Sequence, residues 1–218
     1  MLKRKNKIEN NKGSKSQLII VGSLLIILGT LIIGGKYLYN YLETKNEEQL
    51  IDTFFEEQKE IAEDTTPEVP EEKVETEKPQ PTKTKIDYFA VIKIPKIGLE
   101  KGLANKGSYY NNVNRNILVV KESDMPDKDK GNVILAGHSG SGRTAYFKNL
   151  HKLERDDEVS IFYNGNEYKY KVLNQYDIEK TGTANIVRNV EKSTLTLITC
   201  RHNTNKQIIY ICELVEKV

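Results

Sequence analysis

The sequence predicts a mainly β domain over residues 86–218, folded as a closed or nearly closed barrel of about eight strands with one or two short helices. Two observations support this fold class. Short β-rich runs recur between turn signals along this part of the chain, and strand–helix–strand alternation is rare. A third feature, an apolar segment near the N-terminus, predicts a transmembrane helix ahead of the barrel.

The apolar segment spans residues 18–35, eighteen residues without a charge, which is long enough to cross the hydrocarbon core of a bilayer. Six basic residues precede it and only Glu9 opposes them, so the N-terminus is expected in the cytoplasm and the rest of the chain outside. A cleaved signal peptide would have a shorter apolar region followed by small residues. We therefore expect a cytoplasmic basic tail over residues 1–16 and an uncleaved signal anchor over residues 17–41.

Residues 42–85 are predicted to form an acidic, proline-containing extracellular linker. Apolar residues recur at roughly helical spacing from residue 41 to about 59, so a helix can continue there. From residue 65 to 85 apolar residues are nearly absent, and four of the six prolines of the chain occur. Such a composition cannot bury enough surface to offset its ordering entropy, which predicts a disordered spacer between the membrane and the folded domain.

The elements of the β domain are predicted from apolar runs and turn signals. A hairpin is expected around Asn164-Gly165-Asn166, and aromatic and leucine residues at helical spacing predict a short helix over residues 144–153. The predicted strands are residues 89–94, 116–120, 132–136, 158–163, 167–173, 176–179, 194–200 and 207–215.

Composition excludes several classes of protein. The net charge is +2, and no basic patch with interleaved aromatic residues is present, so no nucleic-acid partner is expected. The two cysteines, Cys200 and Cys212, are too few for a disulfide framework. A bridge between them is conceivable, but a free reactive thiol explains Cys200 better.

Two predicted strands end in residues that carry chemistry. Cys200 ends one strand beside a polar turn, and His138 closely follows another strand within a glycine-rich segment. Such strand ends can meet at one rim of a barrel, as a Cys–His pair for acyl transfer requires. Considered singly, a strand-end histidine is more often a turn residue and a lone cysteine more often a small buried hydrophobe. The two together, in an exported domain, favour the catalytic interpretation.

Three segments resemble the sortase family. LAGHSGSGRTAYFKNLHKLERDDEV, residues 135–159, resembles the segment in which a glycine–histidine pair ends a strand. STLTLITC, residues 193–200, is similar to the T-L-x-T-C signature of the family. VIKIPKIGL, residues 91–99, resembles the opening strand of many sortase domains. The resemblance covers about residues 86–218, and it leaves the sortase class uncertain.

The resemblance implies a membrane-anchored cysteine transpeptidase of Gram-positive bacteria that needs no metal or organic cofactor. Such enzymes cleave an LPxTG-like sorting signal of secreted surface proteins through a thioacyl enzyme. An amine then attacks the thioacyl enzyme and releases the product. This amine belongs either to a cell-wall precursor of the lipid II type or to a pilin lysine. By the same resemblance Cys200 is the nucleophile, and His138 is the general acid for the leaving amine and later the base for the incoming amine.

One position departs from the family pattern. The family has an arginine at the start of the last strand that stabilises the oxyanion and holds the substrate, and Gln207 occupies that position here. A glutamine amide can donate a hydrogen bond but lacks charge, and loss of a well-placed donor can cost on the order of 10² to 10³ in rate. Arg201, next to the nucleophile, or a shifted Lys206 is an alternative source of the positive charge.

The remaining candidate residues favour structural interpretations. His151 is expected on a solvated helix face, and Cys212 within a strand is expected to be buried. His202 lacks a second Cys/His pair at ligand spacing, so zinc is not expected. A solvated turn is favoured over a calcium site for three aspartates interspersed with lysines, Asp124, Asp127 and Asp129.

Two other functions are compatible with the sequence. An exported L,D-transpeptidase also uses Cys and His on a β scaffold, but its S-x-G-C-x-R motif has a glycine that is missing before Cys200. A membrane-tethered binding module, or a degenerate sortase with little activity, is favoured by Gln207 in the arginine position.

Overall fold

A computed structural model describes residues 12–63, 86–181, 183–201 and 203–218. Most of the predicted basic tail and the predicted proline-containing spacer lie outside these residues. The described residues form one long helix and eight strands. They are α1 (Lys12–Glu63), β1 (Tyr88–Ile94), β2 (Leu99–Ala104), β3 (Leu118–Val119), β4 (Asn132–Gly137), β5 (Glu158–Tyr163), β6 (Asn166–Glu179), β7 (Thr194–Cys200) and β8 (Lys206–Lys217). The chain divides between Glu48 and Gln49 into two compact units.

The part of α1 in the first unit contains residues 18–35, a stretch without a charged side chain whose large apolar side chains are exposed. From Leu18 onwards it is long and apolar enough to cross a membrane, with a mean hydropathy of 2.6 in its most apolar window. None of that window is buried within the protein. A helix that exposes apolar side chains all round needs an apolar surrounding. The helix therefore fits membrane anchoring.

The part of α1 in the second unit packs against the strands. Ile51 and Phe54 are buried against Tyr88 and Val91 of β1, with Leu50, Phe55, Ile86 and Phe162 at the margin. The ring of Phe55 meets that of Phe162 edge-on, with the centroids 5.0 Å apart. Side chains at i and i+3 lie on one face of a helix, which explains why Ile51 and Phe54 are buried together. The predicted continuation of the helix is present, and its packing on the barrel was not predicted.

The eight strands form one sheet in the order β2-β1-β5-β6-β8-β7-β4-β3. All neighbouring pairs are antiparallel except β4 and β7, which are parallel. The edge strands β2 and β3 lie close to each other. The buried Asn116, two residues before β3, donates its side-chain amide to the carbonyl oxygen of Gly102 on β2 at 2.8 Å. The sheet is thus a nearly closed barrel, and the predicted fold class is confirmed.

The structure differs from the predicted elements in three places. The sequence prediction missed β2, whose residues LEKGLA lack a clear strand pattern. Pairing with β1 stabilises β2, and Gly102 is required because a Cβ there would overlap the ring of Tyr88. The runs 167–173 and 176–179 are one strand, β6, with an irregular register between Val172 and Asn174. The predicted helix over residues 144–153 consists of turns and one short 3-10 turn, Leu150–Lys152, since so short a segment does not repay helix nucleation.

Alternation along the strands separates two faces of the barrel wall. On β7, Leu195 and Leu197 point into the barrel core, whereas Ile198 belongs to an apolar cluster on the outer face. Successive residues of a strand point to opposite faces. On β4 and β8, likewise, alternate residues belong to the barrel core and to the outer cluster. We call the outer cluster the outer floor; its buried members are Ile134, Ile198, Ile209 and Ile211.

The contact between α1 and β1 leads to a prediction about stability. Phe54 is 3% exposed, so Phe54→Ala is expected to lower the free energy of unfolding of the strand-containing unit by about 3 kcal/mol. Urea unfolding of the full chain in detergent, followed by circular dichroism, measures the change. Glu57→Ala, an exposed position on the same helix, is the matched control and is expected to change little. Equal midpoints for both variants would contradict the packing of α1 on the barrel.

Candidate active site

The register of the parallel pair places His138 and Cys200 side by side. The last paired residues of β4 and β7 are Gly137 and Thr199. His138 and Cys200 each come one residue later, on strands that lie about 4.8 Å apart. Both side chains therefore project on the same face of the sheet. That face carries the outer floor, because Cys200 follows Ile198 by two residues.

Gln207 lies on the other side of Cys200 from His138. Gln207 on β8 is the antiparallel partner of Cys200 on β7, so their side chains project on the same face. On its far side Gln207 pairs with Ile178 of β6, a residue packed against the outer floor. The three predicted residues thus form a row across β4, β7 and β8, with a half-buried thiol in the middle.

His138 has a side-chain partner that the sequence did not reveal. Its Nε2 atom lies 3.1 Å from Oδ1 of Asn114. At that distance a protonated Nε2 donates to the amide oxygen and holds the plane of the imidazole ring. Asn114 lies in the turn-rich segment before β3, where asparagines are common and their spacing signals no site. Only the fold brings this turn to the end of β4.

The segment around His138 is attached to the rest of the barrel by hydrogen bonds and by close packing. The His138 carbonyl oxygen accepts a hydrogen bond from the N–H group of Phe147 at 3.0 Å. Gly137 is required at the strand end because a Cβ there would lie 2.8 Å from the Phe147 ring. The Ser139 hydroxyl donates to the carbonyl oxygen of Cys200, which joins the two strand ends directly.

Arg201 and Lys206, the other candidates for the role of the family arginine, do not share the face of Gln207. Arg201 follows Cys200 directly, and its Nη1 atom lies 2.5 Å from Oδ1 of Asp177. Both groups lie near the phenol of Tyr210. Burial raises the pKa of this phenol to about 12, while the charge of Arg201 lowers the pKa and the charge of Asp177 raises it. Tyr210 belongs to the barrel core, so the Arg201–Asp177 pair lies towards the face opposite to the outer floor. Lys206 lies on the same side of β8 as Ile208 and Tyr210, which belong to the barrel core. Its Nζ atom is 3.8 Å from Oε1 of Glu179.

A loop before β7 borders the outer floor. Ala184 and Ile186 pack against it. The hydroxyl of Tyr176 accepts from the N–H group of Val187 at 2.7 Å and donates to the carbonyl oxygen of Asn185 at 3.0 Å. This loop connects β6 to β7.

Two of the other residues singled out from the sequence, Asp124 and His151, have structural partners. Asp124 accepts from the Lys128 ammonium and from the N–H group of Asn132, and both contacts lower the pKa of its carboxyl group. His151 is exposed, and Nδ1 contacts the carbonyl oxygen of Lys148. His202 lies outside the described residues. Among the residues that the structure describes, no three His, Cys, Asp or Glu side chains are grouped to hold a metal ion.

The two cysteines are free and differ in accessibility. Cys212 is fully buried in the barrel core, as predicted, and burial raises the pKa of its thiol to about 12. Cys200 is half-buried at the strand end. Since Cys212 packs inside the barrel and Cys200 projects outside it, the conceivable disulfide between them is not formed.

Comparison with known proteins identifies relatives along most of the chain. Residues 92–215 match the family model described as Sortase domain. The chain is 28% identical to Sortase A of Staphylococcus aureus over 193 residues, 87% of this chain and 88% of that protein. It is 25% identical to Sortase A of Bacillus anthracis over 197 residues, 87% of this chain and 91% of that protein. A solved Sortase D5 transpeptidase of Clostridium perfringens superposes with a TM-score of 0.55 at 24% identity, over 79% of this chain and 98% of that chain, and shares the fold.

The contrast between the two cysteines leads to a labelling prediction. Iodoacetamide is expected to modify the native protein once, at Cys200, up to pH 10. At that pH a thiol with a pKa of about 12 is only about 1% thiolate, and Cys212 is also shielded from the reagent. Intact-mass spectrometry with peptide mapping measures the modification. Cys200→Ala should remain unlabelled when native and label once in guanidinium, whereas native labelling of Cys212 would contradict its burial.

Proposed function

The chain belongs to the sortase family of transpeptidases, and we propose that it cleaves an LPxTG-like sorting signal of secreted surface proteins and transfers them to an amine. The supporting observation is the strand register that aligns His138, Cys200 and Gln207 on one face of three neighbouring strands. Nucleophile, general acid and hydrogen-bond donor then face one substrate carbonyl, as covalent acyl transfer requires.

The proposed reaction has two acyl-transfer steps. The Cys200 thiol passes its proton to His138, and its sulfur attacks the carbonyl carbon of the Thr–Gly bond and forms a C–S bond. The C–N bond then breaks, and His138 gives a proton to the leaving amine. In the second step His138 accepts a proton from the incoming amine, whose nitrogen attacks the thioester carbon. The C–S bond breaks, the new amide is released and the Cys200 sulfur is again available.

Asn114 supports the role of His138 in this scheme. A ring that moves a proton in both directions must keep its position while its charge changes. An amide oxygen accepts a hydrogen bond from Nε2–H in the neutral and in the charged ring. The contact at 3.1 Å therefore suits both steps.

Gln207 is the proposed donor to the oxyanion. It shares a face with Cys200, and its amide N–H group can donate to the oxygen that becomes negative as sulfur attacks. Arg201 is the weaker candidate because its guanidinium is paired with Asp177 towards the other face. Lys206 shares that disadvantage.

The substrate is proposed to bind along the outer floor. Its buried isoleucines support a layer of partly buried side chains, and this layer leaves apolar surface beside the row of site residues. Its members are Val120, Ala136, Tyr176, Ile178, Ala184 and Ile186. Apolar surface of this kind suits the leucine and proline of an LPxTG-like segment, since desolvation of both partners favours association. No cofactor enters this scheme.

The location follows from the N-terminal helix and the charges around it. We propose that residues 17–41 are a single-pass membrane anchor with a cytoplasmic N-terminus, residues 42–85 an extracellular linker, and residues 86–218 the extracellular catalytic domain. The apolar helix and the excess of basic residues before it support this orientation. The acceptor is then outside the cell, either a cell-wall precursor amine of the lipid II type or a pilin lysine.

Trapping of the thioacyl enzyme tests the proposed function. A peptide of LPxTG type with a thiol-reactive group at the scissile bond is expected to modify the full chain in detergent, and Cys200→Ala is expected to prevent modification. His138→Gln is expected to lower kcat for peptide cleavage by on the order of 10² to 10⁴. Mass spectrometry of the adduct and chromatography of the cleaved peptide provide the two measurements.

Negative results in this assay favour the other candidates. If sorting-signal peptides bind but are neither cleaved nor captured, a membrane-tethered binding module or a degenerate sortase explains the fold better. A pH profile of cleavage that does not change in His138→Gln would reject His138 as the general acid.

The position of Gln207 leads to a second kinetic prediction. Gln207→Ala is expected to lower kcat by about 10²-fold because the developing oxyanion loses a donor. Gln207→Arg is expected to raise kcat above the wild-type value, because a charged donor stabilises the oxyanion more strongly. Arg201→Ala is the matched control and is expected to change kcat by less than about fivefold. A larger loss in Arg201→Ala than in Gln207→Ala would assign the oxyanion role to Arg201.

A further inference from the structure

We propose that Ser139 is a positioning residue that holds the backbone of Cys200 against the segment carrying His138. This inference rests on the proposed function, because it assumes that His138 and Cys200 are the reacting pair. Ser139 touches neither the substrate nor the reacting atoms in this proposal. It acts through the carbonyl group of Cys200.

The site lies where the backbone pairing of β4 and β7 has ended. Gly137 and Thr199 are the last paired residues, so no further ladder position joins the segment of His138 to that of Cys200. The next link is made by a side chain, the hydroxyl of Ser139, which donates to the Cys200 carbonyl oxygen. Ser139 and Cys200 are both half-buried, so solvent competes only partly for this hydrogen bond.

A second hydroxyl makes the same kind of contact in the opposite direction. Oγ1 of Thr199, on β7, donates to the carbonyl oxygen of Gly137, on β4, at 2.7 Å. Ser139, beyond β4, donates to Cys200, on β7. The two hydrogen bonds are thus reciprocal, and together they enclose the position of the His138–Cys200 pair. We call them the hydroxyl clamp.

Two further contacts of His138 among the described residues go to loops rather than to β7. The His138 carbonyl oxygen accepts from Phe147, and the His138 ring contacts Asn114. Gly140 and Gly142 follow, and nothing in the described part of the chain lies within 4 Å of where their Cβ atoms would be. Without the Ser139 hydroxyl, the segment remains attached to its own loops but loses its side-chain link to the nucleophile.

The clamp is expected to affect rate more than stability. A hydrogen bond of this kind contributes little to folding, because a bond to water replaces it in the unfolded chain. Acyl transfer depends more steeply on geometry, since a displacement of about 1 Å between reacting groups can cost about 10²-fold in rate. A positioning role therefore predicts a kinetic defect in a protein that remains folded.

Kinetics of the full chain in detergent form the first arm of the test. Ser139→Ala is expected to lower kcat for sorting-signal cleavage by 10- to 100-fold with KM within twofold of wild type. Ser139→Thr keeps the hydroxyl and is expected to restore kcat to within about threefold. Ser141→Ala, an exposed serine of the same loop, is the matched control and should equal wild type. Wild-type kcat in Ser139→Ala, or an equal loss in Ser141→Ala, overturns the inference.

The second arm does not depend on the identity of the substrate. The rate of iodoacetamide alkylation of Cys200 is measured against pH for wild type, His138→Gln and the Ser139 variants. Because Cys212 is buried, the label reports Cys200. His138→Gln is expected to change the rate at neutral pH by fivefold or more. Ser139→Ala should change it at least twofold in the same direction, and Ser139→Thr should return it towards wild type.

The two arms separate failure of this inference from failure of the proposed function. If no sorting-signal peptide is cleaved but alkylation responds as expected to both residues, the clamp stands and the proposed substrate is wrong. If peptides are cleaved and Ser139→Ala matches wild type in kcat and in alkylation, the clamp is wrong and the proposed function stands. If alkylation does not respond to His138→Gln, both the reacting pair and the clamp are rejected.

Discussion

The parallel pairing of β4 with β7 is the constraint on which the candidate site depends. A shift of one residue in this register would turn one strand's side chains to the opposite face and separate His138 from Cys200. Buried polar groups specify the register at its start, where Oδ1 of Asn132 accepts from the hydroxyls of Thr194 and Thr196 at 3.0 and 2.9 Å. Leaving these groups unpaired in the barrel wall would cost free energy, so they disfavour any other register.

The barrel uses two regions of its outer surface for different purposes. On β1 and β5, apolar side chains are covered by the last part of α1, which attaches that helix to the barrel. On β4, β7 and β8, the outer floor is bordered by the loop containing Ala184 and Ile186, and it adjoins the row of site residues. These strands lie in different parts of the sheet order, so the contact with α1 does not occupy the face of the site.

Much of the fold could be predicted from local patterns, and the failures have physical causes. Strands with apolar alternation and the hairpin at Asn164-Gly165 were found because their signals are contained in a few neighbouring residues. β2 was missed because its stability comes from pairing with β1, a contact outside its own residues. Likewise, Asn114 and Ser139 carry no local signal, since their partners lie 24 and 61 positions away in the sequence.

The sequence by itself determined the long apolar segment near the N-terminus, the mainly β class and the identity of the candidate pair, because apolar length, strand periodicity and strand-end residues are local properties. Only the tertiary structure decided that Gln207 shares a face with Cys200 while Arg201 pairs with Asp177, and that α1 packs on β1. Those outcomes depend on register between strands distant in the chain. Cross-strand neighbours are defined by hydrogen-bond pairing and not by spacing along the sequence.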